Sequence, residues 1–237
     1  MRVIAKIVVV MFMLVTASTV FAGIGIHIGM DMAAVESKDY SFGFDGDLPS
    51  YTPSTLGRQE SGSPLNIGID YTIGMIPMID LVIGFTGAFS NYDISYIPAT
   101  DTNTGLQAGD PMDETIPYVR AGFELSALYG VWGFPPIVKA VNVMVGAGVG
   151  YHLFSPVLSE ELLTDKIESA DAEIDPLEYA DEIEGKIGFH LVGGVKIKPA
   201  GVPIGFRVLG KYYIISGQDE GAPENFMNVS AGIYFGF

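Results

Sequence analysis

Val141-Asn142-Val143-Met144-Val145-Gly146-Ala147-Gly148-Val149-Gly150-Tyr151-His152-Leu153 decides the fold. Val141, Val143, Val145, Ala147, Val149, Tyr151 and Leu153 recur at every second position, while Asn142, three glycines and His152 are among the residues between them. A period of two belongs to an extended strand with one apolar face and one polar or small face, and no helical face has that spacing.

The same pattern recurs on both sides of this segment. Upstream, Ile24, Ile26, Ile28, Met30 and Met32 alternate with Gly25, His27, Gly29 and Asp31. Leu65, Ile67, Ile69, Tyr71, Ile73 and Met75 alternate with Asn66, Gly68, Asp70, Thr72 and Gly74. A third strand is expected from Leu81 to about Tyr92 and a fourth from Thr115 to Tyr129, followed by a turn carrying Trp132, Gly133, Pro135 and Pro136. Downstream come strands over about Lys186 to Lys198, Ile204 to Ile214 and Asn228 to Phe237. Eight strands are therefore expected, in one all-β domain over residues 23–237, as an antiparallel up-and-down barrel.

Which face looks outward follows from size and charge. The apolar face carries the bulky residues and no charge within any strand, whereas the other collects the glycines and every charged residue. Large groups fit a convex wall, and lipid excludes charge from that wall at about 2–4 kcal/mol per residue at the midplane. The apolar face is therefore read as lipid-facing and the barrel as transmembrane.

Connection lengths agree. Links over about Ala33 to Ser63, Asp93 to Glu114, Ser155 to Gly185 and Ser216 to Asn225 are long, and those near Pro77, Trp132 and Gly201 are short. This alternation predicts four long external loops and three short periplasmic turns. The third long loop carries many acidic residues and is read as a solvated surface, with short helices expected after Ser159 and Asp175.

Residues 1–22 read as a cleavable signal peptide. Arg2 and Lys6 are followed by the apolar run Ile7 to Val15, too short to span a bilayer as a helix, and Val20-Phe21-Ala22 offers small residues for cleavage after Ala22. The expected location is the outer membrane of a diderm bacterium. The net charge of −16 argues against nucleic-acid partners, and the absence of cysteine excludes disulfides and thiolate chemistry. No cofactor or metal is expected.

The last eight residues, Ser230-Ala231-Gly232-Ile233-Tyr234-Phe235-Gly236-Phe237, resemble the terminal signal of outer-membrane barrels, with a polar residue, a glycine and two aromatics in the matching places. The resemblance implies reading by the barrel-assembly machinery through Ser230, Gly232, Phe235 and Phe237. By strand count and length the chain resembles the small OmpA/OmpX/OmpW-type barrels, which implies outer-membrane lipid and lipopolysaccharide as its surroundings.

His27, Asp31, Asp70, Arg120, Glu124, Arg207 and Lys211 fall on the inward face and are expected to form a polar network in the lumen. Three functions follow in order of expectation: a structural or surface-interaction scaffold, a narrow OmpW-like channel for small or apolar solutes, and a lipid-modifying enzyme. The last would need His152 beside Ser155 or Ser159 and a carboxylate such as Glu160 or Glu161 at the rim. Tyr71, Tyr129, Trp132, Phe134, Tyr151 and Tyr212 lie near strand ends and are read as aromatic girdles.

Overall fold

A computed structural model describes residues 22–33, 35–42, 51–76, 79–134, 140–157, 183–199, 201–217 and 222–236. The expected signal peptide, the expected helices of the third long loop and Phe237 lie outside these residues, and Ala22 is the first residue of a strand.

The strands are β1 (Ala22–Met32), β2 (Lys38–Phe42), β3 (Ser54–Arg58), β4 (Leu65–Ile76), β5 (Ile79–Ile97), β6 (Met112–Phe134), β7 (Val141–Phe154), β8 (Glu184–Ile197), β9 (Ile204–Ile215) and β10 (Asn225–Gly236). All pairings between them are antiparallel, and β1, β4, β5, β6, β7, β8, β9 and β10 close into a ring of eight, with β1 hydrogen-bonded to both β4 and β10. The chain is an all-β, up-and-down, eight-stranded barrel.

Ring closure sets the size of the lumen. Following paired residues around the ring from Met144 through Gly194, Leu209, Ser230, Gly29, Asn66, Ala88 and Arg120 returns to the starting strand at Phe154, ten residues further on. With strands about 4.7 Å apart and a rise of about 3.3 Å per residue, this stagger inclines the strands by about 40° and leaves a backbone radius of about 8 Å. Inward side chains from opposite walls therefore meet.

The outer wall is apolar as the alternation predicts. Ile69 is 56% exposed and Phe189 61%, and the outward positions of β1, β8, β9 and β10 carry no polar residue from Ile24 to Met32, Ile187 to Ile197, Ile204 to Val208 and Met227 to Phe235. Ten steps along β8 at this tilt give a greasy band about 25 Å tall. Trp132 and Phe134 stack at 6.2 Å near the short-turn end of that band.

Four expectations need correction. The stretch from Ala33 to Ser63 is more than a connection: β2 and β3 form a hairpin in it, and β3 pairs with the end of β5. The second long loop is shorter than expected, because β5 and β6 continue as a hairpin through Ile97 and Met112. Val35, Tyr40, Leu56, Tyr92, Ile94 and Tyr118 are buried in one cluster, and this apolar inner face prolongs the pairing above the wall. Trp132 and Gly133 belong to β6, where the register slips between Gly130 and Trp132, and do not form a turn. Ile73, expected on the lipid face, is only 1% exposed and adjoins the register shift between Ile73 and Ile76.

Candidate functional site: the lumen

All seven inward residues singled out in the sequence are buried. Strands that are not neighbours in the ring, β1 with β6, β6 with β9 and β4 with β9, bring them together in three groups, each organised by one carboxylate.

Nearest the long loops is Asp31 on β1. One of its oxygens accepts from Arg120 Nη2 at 2.6 Å, and the other accepts from Asn228 Nδ2 at 2.8 Å and Asn66 Nδ2 at 3.5 Å. This side chain thus joins β1, β4, β6 and β10 across the cylinder. The Arg120 guanidinium also lies over the Phe226 ring at 4.8 Å and the Tyr213 ring at 5.4 Å, and its Nη1 is 3.2 Å from His152 Nδ1.

At mid-height Glu124 on β6 accepts from Lys211 Nζ at 2.5 Å, from the Tyr213 hydroxyl at 2.7 Å and from Thr86 Oγ1 at 3.4 Å. Closer to the short turns Asp70 on β4 is paired with Arg207 and lies 3.3 Å from His27 Nδ1. Three carboxylates face Arg120, Arg207 and Lys211, so acidic and basic side chains balance in number. Such pairing is what allows charges to remain in a dry interior.

The sequence reading missed two apolar clusters, one toward the long loops and one packed beside the Asp70–Arg207 pair. Toward the long loops Tyr92, Ile94, Tyr118, Phe154, Tyr213, Ile215 and Phe226 pack with Val35, Tyr40, Leu56 and Val157. Beside that pair Val82, Leu128, Met144, Val192 and Leu209 form the second cluster. The signal was present: each residue of the second cluster interrupts the polar face of its strand, as Val192 does between His190 and Gly194 and Leu209 between Arg207 and Lys211. Below it Lys196 pairs with Asp80 at 2.9 Å and lies over the Tyr234 ring.

The lumenal glycines are seats for the rings of neighbouring strands. A Cβ on Gly148 would stand 2.4 Å from His190 Nε2, one on Gly122 2.7 Å from His152 Nδ1, and one on Gly68 2.4 Å from His27 Nε2. Alternation places these glycines inward, but only the register shows which ring each one receives.

Little space remains among the described residues of the ion-bearing part of the lumen. A cavity lined by ionic and apolar residues together, including His27, Asp70, Glu124 and Leu209, holds a volume of about 10 Å³, on the order of one water molecule. Glu124 is 1% exposed and His152 0%, so no aqueous column reaches them.

The expected catalytic arrangement is not assembled among the described residues. His152 is occupied by Arg120, and Ser155 Oγ accepts from the Val119 backbone at 2.9 Å. Ser159, Glu160 and Glu161 lie outside the described residues. Among the described residues no group of three or more His, Asp or Glu side chains is placed to hold a metal ion. Of the expected assembly signal, Ser230 points into the lumen, where it is buried, and Phe235 points outward, where it is exposed.

No family model matches the chain, and no curated protein matches it. Among solved structures it is similar to Neisserial surface protein A, at 14% identity over 92% of this chain and 97% of that one, with a TM-score of 0.48. It is similar to the attachment invasion locus protein Ail of Yersinia pestis, solved with the heparin analogue sucrose octasulfate, at 10% identity over 92% and 98%, TM-score 0.40. The N-terminal β-barrel domain of Pseudomonas aeruginosa OprF is 11% identical over 91% and 97%, TM-score 0.40. The barrel itself stands on the closed ring of pairings in this chain.

Proposed function

We propose that this chain is an outer-membrane barrel with a sealed lumen, working as a scaffold that presents its long-loop end to the exterior. The observation that carries this reading is the filling of the cylinder: among the described residues, two apolar clusters and the buried ion pairs packed between and beside them occupy the axis. A channel requires a continuous wet path. Inward groups as buried as Glu124 and His152 do not line one.

The membrane assignment is supported by the unbroken apolar outer wall and its height, which match a lipid hydrocarbon core. The β5–β6 hairpin, with β2 and β3 added to its flank, rises beyond this band at the long-loop end. Tyr51 and Thr52 knit to Asp101 and Thr100, so two of the long connections form one unit there. A rigid platform of this kind suits surface contact, with outer-membrane lipid and lipopolysaccharide around its base. Assembly would proceed through β10, with Phe235 and Phe237 as the residues read by the assembly machinery.

The test is ion conductance and liposome swelling with refolded protein at neutral pH. Flux indistinguishable from protein-free bilayers is expected. Steady single-channel currents would remove the sealed-scaffold reading in favour of the narrow channel.

A further inference from the structure

We propose that His152 and Arg120 form an acid-released latch on the seal at the long-loop end of the lumen. A guanidinium has only donors, so the 3.2 Å contact between Arg120 Nη1 and His152 Nδ1 requires Nδ1 to accept. Its proton therefore resides on Nε2, which has no hydrogen-bond partner among the described residues. The contact exists only while the imidazole is neutral.

Protonation of Nδ1 replaces this hydrogen bond with two opposed N–H groups and sets one positive charge against another. Every charged or titratable group around His152 bears on the result. From β6 come Arg120 and Glu124, from β8 Lys186, opposite in the ladder, and His190, from β9 Lys211 and Tyr213, and from β1 Asp31 by way of Arg120. Both nearby carboxylates are already committed, Asp31 to Arg120 and Glu124 to Lys211. Among the described residues around His152, no uncommitted carboxylate is left to take up the new charge.

Relief requires Arg120 and His152 to separate, and this disturbs the apolar layer directly. The Arg120 guanidinium lies over the Phe226 and Tyr213 rings, and His152 meets Tyr213 edge-on at 5.5 Å and Phe154 at 6.3 Å. These rings belong to the layer that closes the lumen. Acid thus acts on the seal itself.

The latch rests on the sealed-lumen reading, and the experiment separates their failures. Conductance of the full refolded chain is measured in planar bilayers at pH values of about 7.5 and about 3, with His152→Gln at each as the control for carboxylates that titrate over the same range. The wild type is expected to be silent at the higher pH and to conduct roughly tenfold or more above background at the lower, about 1.4 kcal/mol or more in the closed-to-open balance. His152→Gln, whose amide oxygen can accept from Arg120 but takes up no proton, is expected to be silent at both.

A wild type silent at both pH values overturns the latch and leaves the sealed barrel standing, whereas currents already present at the higher pH overturn both. An acid response undiminished in His152→Gln also overturns the latch. If that variant does not refold, nitrogen-15 NMR of the wild-type histidines decides: His152 protonated on Nε2 alone at neutral pH supports the latch, and a proton on Nδ1 overturns it.

Discussion

Replacing Glu124 by alanine removes the one acceptor that serves Lys211, Tyr213 and Thr86 together. Lys211 would be left as a charge buried without its carboxylate, and breaking one side of a buried pair costs about 3–5 kcal/mol. The Tyr213 hydroxyl also loses its acceptor. Because it shares the acceptor with Lys211, its orphaning is not added in full.

A second variant isolates the electrostatic part. Replacing Glu124 and Lys211 together by methionine removes both charges and keeps volume in the lumen, so most of the loss should return. Urea unfolding of protein inserted in lipid vesicles gives the numbers, with Trp132 as the reporter. It is the only tryptophan of the chain and lies exposed on the outer wall, where its emission follows the change from lipid to water. A loss of about 4 kcal/mol lowers the unfolding midpoint by roughly 2 M at a slope of about 2 kcal/mol per M. A single-variant loss below about 1 kcal/mol, or a double variant as unstable as the single one, would refute the claim that the ion layer is a paired, desolvated part of the core.

Two other substitutions test the wall and the register. Ile69→Arg places a charge on the exposed face of β4 and should lower stability in lipid by about 2–4 kcal/mol in the same unfolding assay, where an effect near zero would argue that this face does not meet lipid. Gly148→Ala drives a Cβ to within 2.4 Å of the Leu125 carbonyl and of His190 and should cost about 1–3 kcal/mol; Gly193→Ala, whose Cβ meets only Met144 O at 3.9 Å, should be neutral or slightly stabilising, and equal effects would count against the register.

Much of the barrel was legible along the chain because strand alternation is local: each side chain's face follows from its parity with its neighbours. Ile24 to Met32, Val141 to Leu153 and Ile187 to Ile197 each declare a lipid side, and the lengths between such segments declare the strand order. The inward position of Asp31, Asp70, Glu124, Arg120, Arg207 and Lys211 followed from the same parity. Their partners did not, since parity carries no information about height.

Parity also misled in places. Reading the inward face as glycine and charge passed over Val82, Leu128, Met144, Val192 and Leu209, which look like isolated exceptions until the strands are aligned and the five meet. The β2–β3 hairpin was hidden for a related reason. Lys38–Phe42 and Ser54–Arg58 are short and mixed in polarity, and they become strands because the β5 edge is there to pair with them.

From the sequence alone come the eight wall strands, the lipid-facing side and the inward set of ions, because these depend on alternation within single segments. Tertiary structure alone decides that Asp31 meets Arg120, 89 residues away, that His152 accepts from that same arginine, and that two apolar clusters and the ion pairs occupy the axis. These depend on the ten-residue stagger at which the ring closes. That stagger is a property of the whole circuit of hydrogen bonds, which no individual strand carries.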